Sequence, residues 1–302
     1  MDDQLELRLL INRLEFLHAD EKDLVLERLE GPWDWKKIGP LDLQHWLGRV
    51  VRGRWDPQEV ARRVAGDLRF LDRPGSWILQ RGTAEFPAVL DELPDPPWLL
   101  WGRGRWQEGL RVAVVGTRSP SEPAKRAATD FGRELAQTGA VVVSGLARGI
   151  DACAHWGALD GGVTVAVLGI GIDTVSPESN RRLAGRILAA EGALVSEYGP
   201  GEPALAYRFV ARNRLISGLC RSVMVVQAPA KSGALITADF ALDQGRDVVV
   251  HRAGLDGERG AGTRELARQG APVLENAAGL EEVWNSETAG RAGEQVWFEG
   301  FA

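Results

Sequence analysis

The chain has 302 residues, 44% hydrophobic and 26% charged, which gives room for two domains with sizeable cores. A formal net charge of −6 excludes a uniformly basic nucleic-acid binder, and no apolar stretch is long enough to span a bilayer. The acidic start at Met1-Asp2-Asp3 is unlike a secretory signal, so a cytoplasmic protein is expected, with Cys153 and Cys220 as free thiols and no metal site among scattered histidines.

Residues 1–72 read as a small all-helical domain. Leu5, Leu9, Leu10, Ile11 and Leu14 make one apolar stripe, and the stretch from Leu24 to Leu29 carries a second. Gly31-Pro32, Gly39-Pro40 and Asp56-Pro57 punctuate it, and Pro57–Phe70 reads as a helix with Val60, Val64 and Leu68 inward. Residues 73–110 read as a connecting segment with strands at Trp77–Gln80 and Trp98–Trp101 and a short helix opened by Glu85-Phe86-Pro87. Eight of the eleven tryptophans precede residue 110, where they suit a core better than a base-stacking surface.

From residue 111 to 285 apolar runs alternate with amphipathic helices. The strands read are Val112–Val115, Ala140–Val143, Thr164–Leu168, Ala193–Val195, Ser222–Val226 and Asp247–His251. The helices read are Ala124–Gln137, Ile150–Leu159, Asn180–Ala190, Ala204–Ser217, Ala234–Asp243 and Thr263–Gln269. This alternation predicts an α/β fold, a doubly wound and mostly parallel sheet. Residues 286–302 lack periodicity and read as a tail or linker.

In such a sheet, ligands gather beyond the carboxyl ends of the strands. Gly116-Thr117-Arg118-Ser119 follows the first strand, and Ser144-Gly145-Leu146-Ala147-Arg148-Gly149 follows the second. After the fifth comes Ala228-Pro229-Ala230-Lys231-Ser232-Gly233, which opens a helix containing Thr237. Glycines, hydroxyls and cations at strand ends and helix starts make a phosphate-binding rim. Residues 111–271 carry 19 Lys and Arg against 16 Asp and Glu, and the stretch between Glu202 and Asp239 holds Arg208, Arg212, Arg214, Arg221 and Lys231 without an acid. A local positive field of this kind suits a polyanion.

No cofactor is expected. Gly169-Ile170-Gly171 lacks the third glycine of a dinucleotide site, and no glycine stands five positions before Lys231 to complete a phosphate loop of nucleotide triphosphatases. Arg118 and Lys231, on separate turns, suit successive phosphates of a strand. Phe209 and Arg212, three apart on one helix, are placed for a base on the ring and a phosphate on the guanidinium, or for an ordinary core and surface. Asn213 and Arg214 point elsewhere and order neighbouring turns. Asp151, four before His155, reads as a local structural pair rather than a general base, and no catalytic arrangement is found.

Taken in order, the motifs V-A-V-V-G-T-R-S, S-G-L-A-R-G-I-D-A-C-A-H-W-G-A-L, A-V-L-G-I-G-I-D, S-E-Y-G-P-G, R-N-R-L-I-S-G-L and K-S-G-A-L-I-T-A-D-F-A-L-D-Q-G-R resemble the DNA-processing protein A (DprA/Smf) family. The resemblance runs from Val112 to Ala271, with a lead-in at Trp77–Gly102. It implies an extended Rossmann fold that binds single-stranded DNA in a basic pocket, protects incoming strands and helps load the RecA recombinase during natural transformation. It also implies homodimers formed through the Rossmann domain, and proteins not established as enzymes. The family's pocket maps onto Gly116, Arg118, Ser144, Gly145, Arg148, Phe209, Arg212, Asn213, Lys231 and Ser232, with Thr117, Gly149, Arg214 and Gly233 beside them. Residues 1–72 fit the sterile-alpha-motif-like domain that family members carry. Many members end in a winged helix, for which this chain stops too soon. Gln227 stands where Glu is usual, Val210 where Pro is common, Ser176 where Tyr is common, and Arg264 replaces an Asn. The rival reading is a Rossmann enzyme cleaving nucleoside monophosphates, whose Gly-rich turn and downstream Glu are missing from Ala228–Gly233.

Overall fold

A nine-stranded sheet organises the chain in the computed structural model, which describes residues 2–53 and 55–285. Four helices come first: α1 (Asp3–Asn12), α2 (Ala19–Leu26), α3 (Pro40–Leu47) and α4 (Pro57–Leu71). Asp2 and Asp56 cap α1 and α4 with their side chains, and Pro40 and Pro57 pre-set the first turns of α3 and α4. Then come β1 (Ser76–Gln80), α5 (Ala88–Asp91), β2 (Leu99–Gly104), β3 (Arg111–Val115), α6 (Glu122–Gln137), β4 (Val141–Ser144), α7 (Ile150–Leu159), β5 (Thr164–Leu168), α8 (Arg181–Ala189) and β6 (Ala193–Ser196). After these come α9 (Ala206–Ala211), α10 (Asn213–Gly218), β7 (Ser222–Val225), α11 (Gly233–Asp243), β8 (Asp247–His251), α12 (Ala261–Arg268) and β9 (Val273–Leu274).

The strand order is β1-β2-β6-β5-β4-β3-β7-β8-β9, parallel from β6 to β9. The segment read as a connector supplies two strands of this sheet: β1 and β2 pair antiparallel, and β2 pairs antiparallel with β6. β3 to β6 spread to one side of β3 and β7 to β9 to the other, so the order reverses between β3 and β7. At such a point the loops above the sheet part and leave a crevice.

Three apolar clusters lie among the described residues. One lies on the sheet face under α6 and α7, built from Val112, Val114, Phe131, Ile150 and Met224. A second lies on the opposite face beneath α10, α11 and α12. The third joins Leu7, Ile11, Val64 and Phe70 of the helical region to Trp101, Leu168, Ile187 and Leu194 around the sheet, so the N-terminal helices share a core with it. Trp35, Trp98 and Trp101 are buried in it, and Trp101 meets Phe70 edge-on at 6.1 Å. Cys220 is buried and Cys153 half-buried, both free.

The same seam carries buried charge. Arg13 at the end of α1 reaches Asp67 of α4 and Glu202 beyond β6, and Arg63 also reaches Glu202. Arg208 of α9 donates to Glu202 at 2.8 Å and to Glu15 at 3.0 Å. Burial raises the Asp67 carboxyl from 3.8 to about 6, against the pull of Arg13. No helix among the described residues is long and apolar enough to cross a membrane. The tail read at 286–302 lies outside the described residues.

Candidate nucleic-acid interface

The loops after β3, β4 and β7 converge on one cavity of about 760 Å³ at the switch point. Its wall brings together Gly116, Thr117, Arg118, Arg148, Phe209, Arg212, Asn213, Lys231, Ser232 and Gly233, ten of the fourteen residues expected from the sequence. Arg118, Arg148 and Lys231 are exposed on its rim, and among the described residues none of them is in ion-pair distance of a carboxylate. Three cations on three separate turns stay unneutralised around one opening.

Arg212 forms the floor. It is buried, and its Nη1 donates to the carbonyl of Gly145 at 2.9 Å and to that of Val167. Burial lowers its pKa from 12.5 to about 10, which leaves it charged at neutral pH. Asn213 donates from Nδ2 to the carbonyl of Gly233 at 3.2 Å, tying α10 to the Lys231 turn. Phe209 is half-buried on the wall, and a Cβ on Gly169 would stand 2.9 Å from its ring.

The turn after β4 is held from within. Gly149 adopts φ 85°, and a Cβ there would stand 2.3 Å from the carbonyl oxygen of Thr117, so only glycine fits. Leu146 sits in the left-handed region at φ 58°, buried, with its carbonyl bonded by Asn180 at 2.9 Å. Asp151 accepts from the N–H of Gly145 at 3.1 Å and of Ala147 at 3.4 Å. Burial raises its carboxyl pKa, opposed by Arg212.

These bonds correct four expectations. The Ser144 hydroxyl is fully buried and donates to the carbonyl of Val114 at 2.7 Å, so it is not offered to a ligand. The Gly145 N–H is taken by Asp151, and neither Gly145 nor Gly149 lines the cavity. Arg214 turns the other way, donating to Glu197 at 2.7 Å and to Asp95 at 3.4 Å, beside a second cavity against α1 and α2. Asp151 and His155 do not pair either. Nδ1 of His155 meets the hydroxyl of Thr164 at 2.7 Å, and burial lowers its pKa from 6.5 to about 3.

Asp151, Ser176, Pro177, Val210 and Thr237 line the cavity as well. Asp151 had a signal, an acid in the first turn of a helix behind a glycine turn. Pro177 follows a cis peptide bond from Ser176, for which the sequence offers no sign.

A doubly wound sheet with unpaired cations ringing its switch point defines an α/β protein with a basic cavity at the carboxyl ends of its strands. The family model for DNA recombination-mediator protein A matches residues 77–285, and the chain belongs to that family. It is 39% identical over 216 residues to Protein Smf of Escherichia coli K12, covering 70% of this chain and 58% of that protein. It is 40% identical over 192 residues to DNA processing protein DprA of Streptococcus pneumoniae R6, covering 63% of this chain and 67% of that one. The chain thus spans little more than half the length of the E. coli relative. The X-ray structure of Streptococcus pneumoniae DprA superposes with a TM-score of 0.72 at 31% identity, over 90% of this chain and 95% of that one. DNA processing protein A of Helicobacter pylori, solved for its single-stranded DNA binding mode, superposes at 0.62 and 29% identity over 70% of this chain and 96% of that one.

Proposed function

We propose that this protein binds single-stranded DNA in the switch-point cavity and performs no catalysis there. Arg118, Arg148 and Lys231 contact phosphates, the hydroxyls of Thr117 and Ser232 assist them, and Phe209 stacks a base, while the N–H of Thr117 is bonded to the carbonyl of Gln227 at 2.7 Å. Arg212, Asn213 and Asp151 hold the three turns in register. The observation that carries the reading is the set of three unpaired cations around one opening, while Arg208 and Arg214 nearby are neutralised by Glu202, Glu15, Glu197 and Asp95. The single-stranded DNA binding mode of the Helicobacter pylori relative supports the choice of ligand. By the same family membership we assign to this cytoplasmic protein a homodimeric state and a part in natural transformation, guarding incoming strands and loading the RecA recombinase.

Fluorescence anisotropy with oligo-dT over a range of salt tests the binding. Arg118→Ala and Lys231→Ala should each weaken affinity equally for all base compositions and flatten the salt slope by about 0.7. Unchanged affinity in both variants contradicts the assignment. Release of free base from nucleoside monophosphates would establish the enzymic alternative instead.

A further inference from the structure

Two arginines on α8 have no ion-pair partner among the described residues. Arg182 and Arg186 are exposed, and among the described residues neither is within ion-pair distance of a carboxylate, whereas Arg181 is held by Glu178 at 2.9 Å. Spaced four apart, they share a face of the helix at about 6 Å. Gly185 lies beside them, and nothing stands within 4 Å of where its Cβ would be. The surface around the two guanidinium groups is therefore open.

This face continues from the cavity. Ser176 and Pro177 line the opening a few residues before α8 begins. Asn180, next to α8, donates to the carbonyl of Leu146 at 2.9 Å, in the turn that carries Arg148. α7 leaves that turn on the other side and lies along α8, where Ala152 and Leu159 pack with Leu183, Ala184 and Ile187. Trp156 is four residues after Ala152 and three before Leu159, so it belongs to the stripe of α7 that faces α8. It is 39% exposed, in a helix otherwise well covered. It stands about 9 Å along α7 from Ile150.

We propose that a strand held in the cavity continues over Arg148 onto the outer surface of α7 and α8, where Arg182 and Arg186 take phosphates and Trp156 stacks a base. The inference rests on the reading of the cavity as a single-stranded DNA site. Charge and shape name the occupant. Unpaired guanidinium groups and an exposed indole suit a polyanion that carries aromatic rings, and of the carboxylates between Arg148 and Arg182, Asp160 and Glu178 are paired with arginines, while Asp151 and Asp173 accept from backbone N–H groups.

The test compares oligo-dT of about 5 and about 20 nucleotides on the full chain. The variants are Arg182→Ala with Arg186→Ala, Trp156→Ala, and a charge-matched control, Arg62→Ala with Arg69→Ala on α4. The α8 variant should bind the long strand on the order of ten-fold more weakly, with a salt slope flatter by about 1.4, and bind the short strand like the parent. Trp156→Ala should also weaken only the long strand, at an unchanged salt slope. Equal loss on both lengths, no loss on the long strand in either variant, or the same loss in the control overturns the proposal. A parent protein that binds neither oligonucleotide overturns the cavity reading itself, and this inference with it.

Discussion

The guanidinium of Arg212 fills the space in which Gly145 would carry a side chain: a Cβ there would stand 2.6 Å from Nη2 and 2.7 Å from Cζ. The glycine of the β4 turn is thus a socket for a buried charge, and that charge bonds the carbonyls of two neighbouring strand ends.

Gly145→Ala should therefore displace Arg212 and loosen the floor of the cavity. A loss of about 1–3 kcal/mol in stability is expected from such overpacking. Oligo-dT affinity should fall with it. Thermal melting and anisotropy check the two effects, and parent values in both contradict the socket.

Asp151 acts on the same turn from the other side. Asp151→Ala leaves the N–H groups of Gly145 and Ala147 without their acceptor and removes a carboxylate whose field reaches Arg212, and should cost about 3 kcal/mol. Asp151→Asn keeps an acceptor and should retain oligo-dT binding. Loss of binding by the Asn variant at unchanged stability would show that the negative charge itself is needed.

Phe209 gives a different signature from the cations. Phe209→Ala should lower affinity by about 1–3 kcal/mol for the base it stacks, while the salt slope stays at the parent value. A flattened slope would mean that the ring orders the cations instead of meeting a base.

Asp67 links α4 to Arg13 and, through Glu202, to α9. Its carboxyl is raised from 3.8 to about 6, so the folded state holds a proton there that the unfolded chain has lost. The stabilisation this gives is complete below pH 3.8 and lost as pH rises through 6. Asp67→Asn removes that dependence. Its stability relative to the parent should improve by about 2 kcal/mol between pH 4 and pH 7, read by urea unfolding. A constant difference across that range would place the Asp67 carboxyl at its ordinary value.

Most of the sheet was legible because its strands are short β-branched runs, Arg111–Val115 and Thr164–Leu168 among them, set between helices of clear period. The helix expected over Ala204–Ser217 divides into α9 and α10 at Arg212, the residue whose side chain turns inward to the cavity floor. β9, two residues long, is too short to leave a pattern. The rim cations were legible because each follows a strand directly. Arg208 and Arg214 misled, since a stretch free of acids looked basic while their partners Glu15 and Asp95 lie far back in the chain. Ser144 and Gly145 misled for a related reason: spacing shows that a donor is present, and only the fold shows that Val114 and Asp151 already occupy it.

The most direct measurement is a crystal structure of the chain with oligo-dT. Phosphates within hydrogen-bond reach of Arg118, Arg148 and Lys231, with a base against Phe209, are the expected result. A strand seated elsewhere while this cavity holds only solvent would contradict the account.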